Sequence, residues 1–144
     1  MSNFPLKFEV MADSKYGISE PWQCSADAME PITVSIPAEF NGPGKAYSPE
    51  DLYGLAVLNC LISVYKSLCE ANKVVFETID GKLIVTMDKK QQDGQLILTH
   101  LDITFNVHGA QDKEKAREIL EKAIRDCPVT NSIKSGKTCH INID

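Results

Sequence analysis

The stretch from Leu52 to Leu68 constrains this chain most, because it is apolar on nearly every side of a helix. Ser48-Pro49-Glu50-Asp51 stands before it and has the form of a helix start. Ser48 serves as the N-cap, Pro49 takes the first helical position, and two acids meet the positive end of the helix dipole. The helix is expected to run to about Ala71. Gly54, Asn59, Ser63, Lys66 and Ser67 interrupt the apolar run, which leaves it short of the roughly 18 apolar residues of a membrane span. A surface helix shows a polar face, so this one must be buried on several sides. One sheet covers only one side. The other helix and a second subunit are the expected cover for the rest, which predicts a homodimer.

Around this helix the pattern alternates with period two. Lys7–Val10 and Ile32–Ile36 read as strands, with a turn near Tyr16-Gly17 between them, and Pro37–Pro49 is a Pro- and Gly-rich loop. After the helix come Val74/Phe76/Thr78, Leu83/Val85/Met87 and a long strand from Leu96 to Val107. Asp80-Gly81 and Asp93-Gly94 separate them as hairpin turns, giving a three-strand antiparallel meander. A second helix starts near Gln111-Asp112. Its apolar stripe is Ala116, Ile119, Leu120, Ala123, Ile124 and Cys127, and Glu118–Lys122 and Glu121–Arg125 are outer i, i+4 pairs. Pro128 ends it, Asp126 caps a short helix through Asn131 to Ile133, and Thr138–Ile143 is the last strand. The sequence thus predicts one α+β domain over residues 1–144, an antiparallel sheet packed on a buried central helix in the order β-β-α-β-β-β-α-β.

Net charge is −5, and Lys and Arg are spread along the chain, so neither nucleic acid nor an anionic membrane is an expected partner. Met1 to Met11 lacks a basic segment followed by an apolar run, so no secretory signal is expected there and a cytoplasmic location is. The five cysteines, Cys24, Cys60, Cys69, Cys127 and Cys139, are odd in number and irregularly spaced. That is not a secreted disulfide framework; in a reducing compartment such thiols are either small buried hydrophobes or reactive groups.

Cys60 and Cys127 draw attention first. Cys60 shares a helix face with Ala56, Ser63 and Ser67, all small, so another element can pack closely against it. Cys127 ends the stripe of the second helix and points into the same core. Two such faces can bring the sulfurs within bonding reach, although packing alone also accounts for both residues. Cys127 precedes Pro128 where unpaired amides favour a thiolate, whereas Cys60 is mid-helix and has no such help locally.

Ser48-Pro49-Glu50-Asp51-Leu52 with Leu55 to Cys60, followed 67 residues after Cys60 by Cys127-Pro128-Val129-Thr130-Asn131, resembles the OsmC/Ohr family of peroxide-detoxifying proteins. The resemblance runs from about Tyr47 to the C-terminus. It implies an intertwined homodimer with two active sites at its interface. It also implies that Cys60 attacks an organic hydroperoxide and becomes a sulfenic acid, that Cys127 resolves it to a disulfide, and that a dithiol reductant, of lipoyl type by the same resemblance, resets the pair. No cofactor is implied. Glu50 matches the family's acidic partner. The family's activating arginine has no counterpart, since no arginine precedes Arg117, and Lys45 is the cation nearest the helix start. Glu50 lies ten residues before Cys60, about 15 Å along a straight helix, so it is expected to serve the thiol of a partner subunit, with Lys45 as the cation it positions.

Other candidates read as structural. His100 and His108 share the solvent face of a strand with Asp102, Thr104 and Asn106. Cys139 and His140 are adjacent on a strand and point to opposite faces. No CxxC or HExxH spacing occurs, so no metal site is expected, and Cys69 reads as packing. Two functions follow: a thiol peroxidase, or a non-catalytic dimer of the same fold that binds an apolar small molecule at its interface.

Overall fold

The computed structural model describes residues 3–144, which form two compact units, one ending at Leu52 and one running from Tyr53 to Asp144. In the first unit, β1 (Val10–Asp13), β2 (Trp22–Ala26) and β3 (Ile32–Val34) form an antiparallel sheet in chain order. The sequence predicts two strands here, and the first of them, Lys7–Val10, ends where β1 begins. All four residues of β1 are exposed, so no apolar alternation marks it. β2 mixes Trp22 and Cys24 with Gln23 and Ser25 and is equally faint. Ser35 N–H then donates to the Tyr47 carbonyl at 2.9 Å, closing the loop that leads to the long helix.

That helix, α1 (Pro49–Asn72), starts as predicted. Asp51 N–H donates to Ser48 Oγ at 3.1 Å and Ser48 N–H donates to Asp51 Oδ2 at 2.9 Å, a reciprocal capping box. It ends where Lys73 turns left-handed, φ 57°, and Val74 N–H reaches back to the Cys69 carbonyl at 2.9 Å.

The second unit carries β4 (Thr78–Lys89), β5 (Leu96–His108), α2 (Lys113–Asp126) and β6 (Gly136–Ile143), with sheet order β4-β5-β6. Two of its features depart from the meander. First, β4 is one strand that passes straight through Asp80-Gly81, pairing them with Asn106 and Phe105. Gly81 is there for space: a Cβ would stand 2.8 Å from both Leu58 and the Phe105 ring. Asp93-Gly94 is the real turn, with Gly94 at φ 72° and its N–H donating to the Lys90 carbonyl at 2.9 Å. Second, β6 pairs with β5 in parallel, because the chain crosses over through α2 before returning.

One face of this sheet is covered. The α1 stripe Val57, Leu61, Tyr65 and Cys69 and the α2 stripe Ala116, Ile119, Leu120 and Ala123 pack on Leu101, Ile103, Phe105 and Val107 of β5. Tyr65 also donates its hydroxyl to the Ala116 carbonyl at 3.2 Å. Each large member of this core contributes about 1.5–3 kcal/mol by leaving water. By length and composition α1 is apolar enough to cross a membrane, yet this stripe of it is packed inside the second unit. Its other sides are less covered: Leu55 is 37% exposed, and Ala56 and Ser63 are exposed. On the outside of α2 the expected Glu118–Lys122 and Glu121–Arg125 pairs are replaced, among the described residues, by Lys122–Asp126 at 2.8 Å.

Candidate active site: the Cys60–Cys127 pair

Cys60 faces out of α1 half-buried, while Cys127 is fully buried just past the end of α2. The backbone explains the second position. Pro128 disfavours helical geometry in the residue before it, and Cys127 is extended at φ −66°, ψ 116°. The chain therefore leaves α2 at Cys127 and folds at once into a 3-10 turn, Thr130–Ser132. The N-cap of this turn is Val129 rather than Asp126, with no side-chain cap bond, while Thr130 N–H points back at the Cys127 sulfur at 3.5 Å and the Thr130 hydroxyl donates to the Cys127 carbonyl at 3.0 Å. The Asn131 N–H donates to the same carbonyl at 3.0 Å, and Ser132 donates to the Pro128 carbonyl at 2.7 Å. Further along, Ser135 donates to the Leu98 carbonyl at 2.6 Å, which leaves Tyr53 of α1 to donate to Ser135 Oγ, also at 2.6 Å.

The two thiols lie near enough for each to shift the other's charge, and the Val129 backbone acts on both. Burial works against a thiolate at Cys127, but hydrogen bonds from Cys60, Thr130 and Val129 outweigh it and hold the thiol below its ordinary range. Cys60 goes the other way. Burial raises it, as does its role as donor to Cys127, and the Val129 N–H offsets this only in part. Within this chain charge is favoured on Cys127 and disfavoured on Cys60.

Glu50 and Lys45 belong to the first unit. Glu50 lies half-buried in the first turn of α1, and its Oε2 is shielded from water with no hydrogen-bond partner among the described residues. Lys45 is exposed, takes a left-handed backbone at φ 59°, and lines a shallow groove with Tyr47 and Asp51.

The remaining candidates stay apart from the pair. His100 and His108 lie on the open face of the sheet, half-exposed. The His108 ring is clasped between Asp80 at 2.8 Å and Asp144 at 3.0 Å, a cluster that strand alternation places on one face but does not join. Cys139 is half-buried and His140 exposed on β6, and Cys69 is buried beside Tyr65. No group of three His, Cys, Asp or Glu side chains fit to hold a metal occurs among the described residues. The unpaired amides expected beyond Cys127 are those of Val129 and Thr130; the Thr130 hydroxyl is the donor that the sequence does not single out, and its place two residues after Pro128 is the signal that locates it.

A family model described as OsmC-like protein matches residues 42–142. An uncharacterized protein of Methanocaldococcus jannaschii is 28% identical over 87 residues, 60% of this chain and 44% of that protein, so the match spans less than half of the relative. Among solved structures, an OsmC-like protein of unknown function from Vibrio cholerae superposes with TM-score 0.80 at 15% identity, covering 94% of this chain and 99% of that one. An organic hydroperoxide resistance protein from Elizabethkingia anophelis gives 0.74 at 17% identity, covering 98% and 99%. The organic hydroperoxide resistance protein of Bacillus subtilis gives 0.65 at 17% identity, covering 96% and 98%.

Proposed function

Because this chain belongs to the OsmC-like protein family, we propose that it reduces organic hydroperoxides through a thiol–disulfide cycle of Cys60 and Cys127. The observation that carries this reading is the pairing of the two thiols at the end of α2, near enough for each to act on the other's charge. The Cys60 thiolate attacks the outer peroxide oxygen, the O–O bond breaks, and the alkoxide leaves as the alcohol on taking a proton. Cys60 is then a sulfenic acid. The Cys127 thiolate attacks its sulfur, the S–O bond breaks, and hydroxide leaves as water on taking a proton. A dithiol reductant returns both cysteines to thiols. The low-lying thiol of Cys127 suits the second step. The first step needs a cation that the second unit does not place at Cys60, and in this proposal Lys45, positioned by Glu50, comes from a partner subunit of a homodimer.

A second reading, a dimer that binds an apolar small molecule, draws on an apolar groove in the first unit lined by Val10, Met11, Met29, Ile32 and Leu52. Titration of free thiols before and after cumene hydroperoxide separates the two. Loss of two thiols per chain, mapped to Cys60 and Cys127, supports the peroxidase; an unchanged thiol count supports the binder.

A further inference from the structure

Building on the Cys60–Cys127 disulfide of that reading, we propose that the disulfide is reduced with a fixed polarity: the reductant's thiolate attacks the Cys60 sulfur, and Cys127 departs as the thiolate, received by Thr130 and the Val129 amide. Thiolate attack on a disulfide has two choices of sulfur, and access and leaving-group stability decide between them. Access favours Cys60. Its sulfur is half-buried on the side of α1 where Ala56, Asn59 and Ser63 are exposed, the side at which a partner subunit is expected to complete the site, so a reductant entering that site meets Cys60 before the buried Cys127. Cys127 is 0% exposed and closed in with the buried core of α2.

Leaving-group stability points the same way. Thr130 N–H already aims at the Cys127 sulfur at 3.5 Å, and Val129 N–H faces it. The Thr130 hydroxyl has one proton, which it gives to the Cys127 carbonyl at 3.0 Å. It also reaches the sulfur, so it can turn to a thiolate as charge arrives there. The amides are fixed by the 3-10 turn before the bond breaks, so only the Thr130 hydroxyl has to turn to stabilise the departing charge. Cys60 has only the shared Val129 N–H.

The electrons balance as follows. The reductant thiolate forms a bond to Cys60, the Cys60–Cys127 bond breaks, and its electron pair goes to Cys127. The second thiol of the reductant then attacks the reductant's own sulfur in the mixed disulfide. Cys60 leaves with that electron pair and takes the second thiol's proton, and the reductant departs as a disulfide. Thr130 is a positioning residue in this scheme.

The test uses the full-length chain with its disulfide formed by diamide, which needs no hydroperoxide activity. Glutathione is added, excess maleimide quenches the reaction at short times, and peptides are mapped. Glutathione on Cys60 with maleimide on Cys127 is the expected result. Glutathione on Cys127, or shared equally, overturns the proposal, as does failure of diamide to join the two cysteines. A disulfide that forms with diamide but not with cumene hydroperoxide defeats the peroxidase reading and leaves the polarity to be decided by the mapping. Thr130→Ala is expected to slow reduction on the order of tenfold, the size of one hydrogen bond to a charged group. It should also raise the pH at which Cys127 of the reduced protein becomes alkylated, and Thr130→Ser should restore both. An unshifted pH profile in Thr130→Ala removes Thr130 from the scheme.

Discussion

Gly81→Ala is the most direct test of how α1 is seated on the sheet. The added Cβ would stand 2.8 Å from Leu58 Cδ1 and 2.8 and 3.0 Å from two carbons of the Phe105 ring. Carbon atoms pack best at about 3.5–4.0 Å, so the neighbours must move by close to an ångström. Phe105 is fully buried and cannot yield without disturbing β5, which leaves Leu58 and with it α1. Overpacking of this kind costs about 1–3 kcal/mol. Replacing a glycine also narrows the unfolded ensemble, worth about 0.4–1 kcal/mol in the opposite direction. The net expectation is a loss of about 1–2 kcal/mol. With a urea slope of about 1–3 kcal/mol/M, the midpoint should fall by roughly 0.5–1 M at fixed protein concentration. Leu58 stands two residues before Cys60, so the same displacement should slow closure of the Cys60–Cys127 disulfide. Gly94→Ala is the control: nothing lies within 4 Å of its Cβ, and only the left-handed backbone at φ 72° is strained, by about 1–2 kcal/mol. It should lower stability without touching disulfide closure. A Gly81→Ala protein as stable as the parent, with unchanged closure, would refute the close contact between α1 and β4.

Four further outcomes follow from the same structure. Lys45→Ala should slow oxidation of Cys60 by cumene hydroperoxide on the order of tenfold, as loss of a nearby cation raises the thiol, and Lys45→Arg should not slow it; a Lys45→Ala rate equal to the parent's assigns the cation elsewhere. Mixed Glu50→Ala and Cys60→Ser subunits should regain peroxide reduction, because one site of each heterodimer is then intact; activity no higher than either parent, with heterodimers shown to form, rules out the partner's Glu50. Light scattering should show a homodimer that covers the open side of α1, and a stable folded monomer of 15.9 kDa at micromolar concentration would refute it. On the open sheet face, hydrogen bonds that His108 donates to Asp144 and Asp80 raise it above its ordinary 6.5, and those that Asn106 and His108 donate lower Asp80, with His108 also lowering Asp144. The raised group stabilises fully below pH 6.5 and loses this as pH climbs through its folded value, while the carboxylates stabilise above their ordinary 3.8 and lose this as pH falls through their lowered values. An NMR titration of His108 should have its midpoint above 6.5 and drop in Asp144→Asn; a midpoint at or below 6.5 dissolves the clasp.

Local chemistry explains which parts of the fold are legible in the sequence. The start of α1 and the buried stripe of α2 depend on residues within a turn or two of each other, and both stand where the pattern puts them. Asp80-Gly81 and Asp93-Gly94 show the limit. The same dipeptide is a strand interior in one place and a turn in the other. What separates them is Leu58 on α1 and Phe105 on β5, side chains distant in sequence that claim the space beside Gly81. The parallel β6 has the same kind of origin. Its alternation of half-buried Cys139, Ile141 and Ile143 suits either direction, and only the crossover through α2 chooses.

The pair of cysteines divides along the same line. Their meeting is legible, because each ends or occupies an apolar helix face that periodicity can place. The bias of charge toward Cys127 is legible in part, since Cys-Pro before a short helix marks unpaired amides there, but the Cys60 thiol and the Thr130 hydroxyl as donors are not, because only the fold brings them to the sulfur. Val129 and Thr130 present N–H groups to sulfur whatever their side chains are, and they do so because Pro128 forces Cys127 out of the helix just before the 3-10 turn. A substitution that kept both cysteines but let α2 continue, Pro128→Ala, would turn those amides toward helical carbonyls. Cys127 would then keep its burial and the influence of Cys60 but lose the donors of the turn, and its thiol should rise. Sequence spacing would be unchanged, and the chemical asymmetry of the pair would shrink to what the two thiols impose on each other.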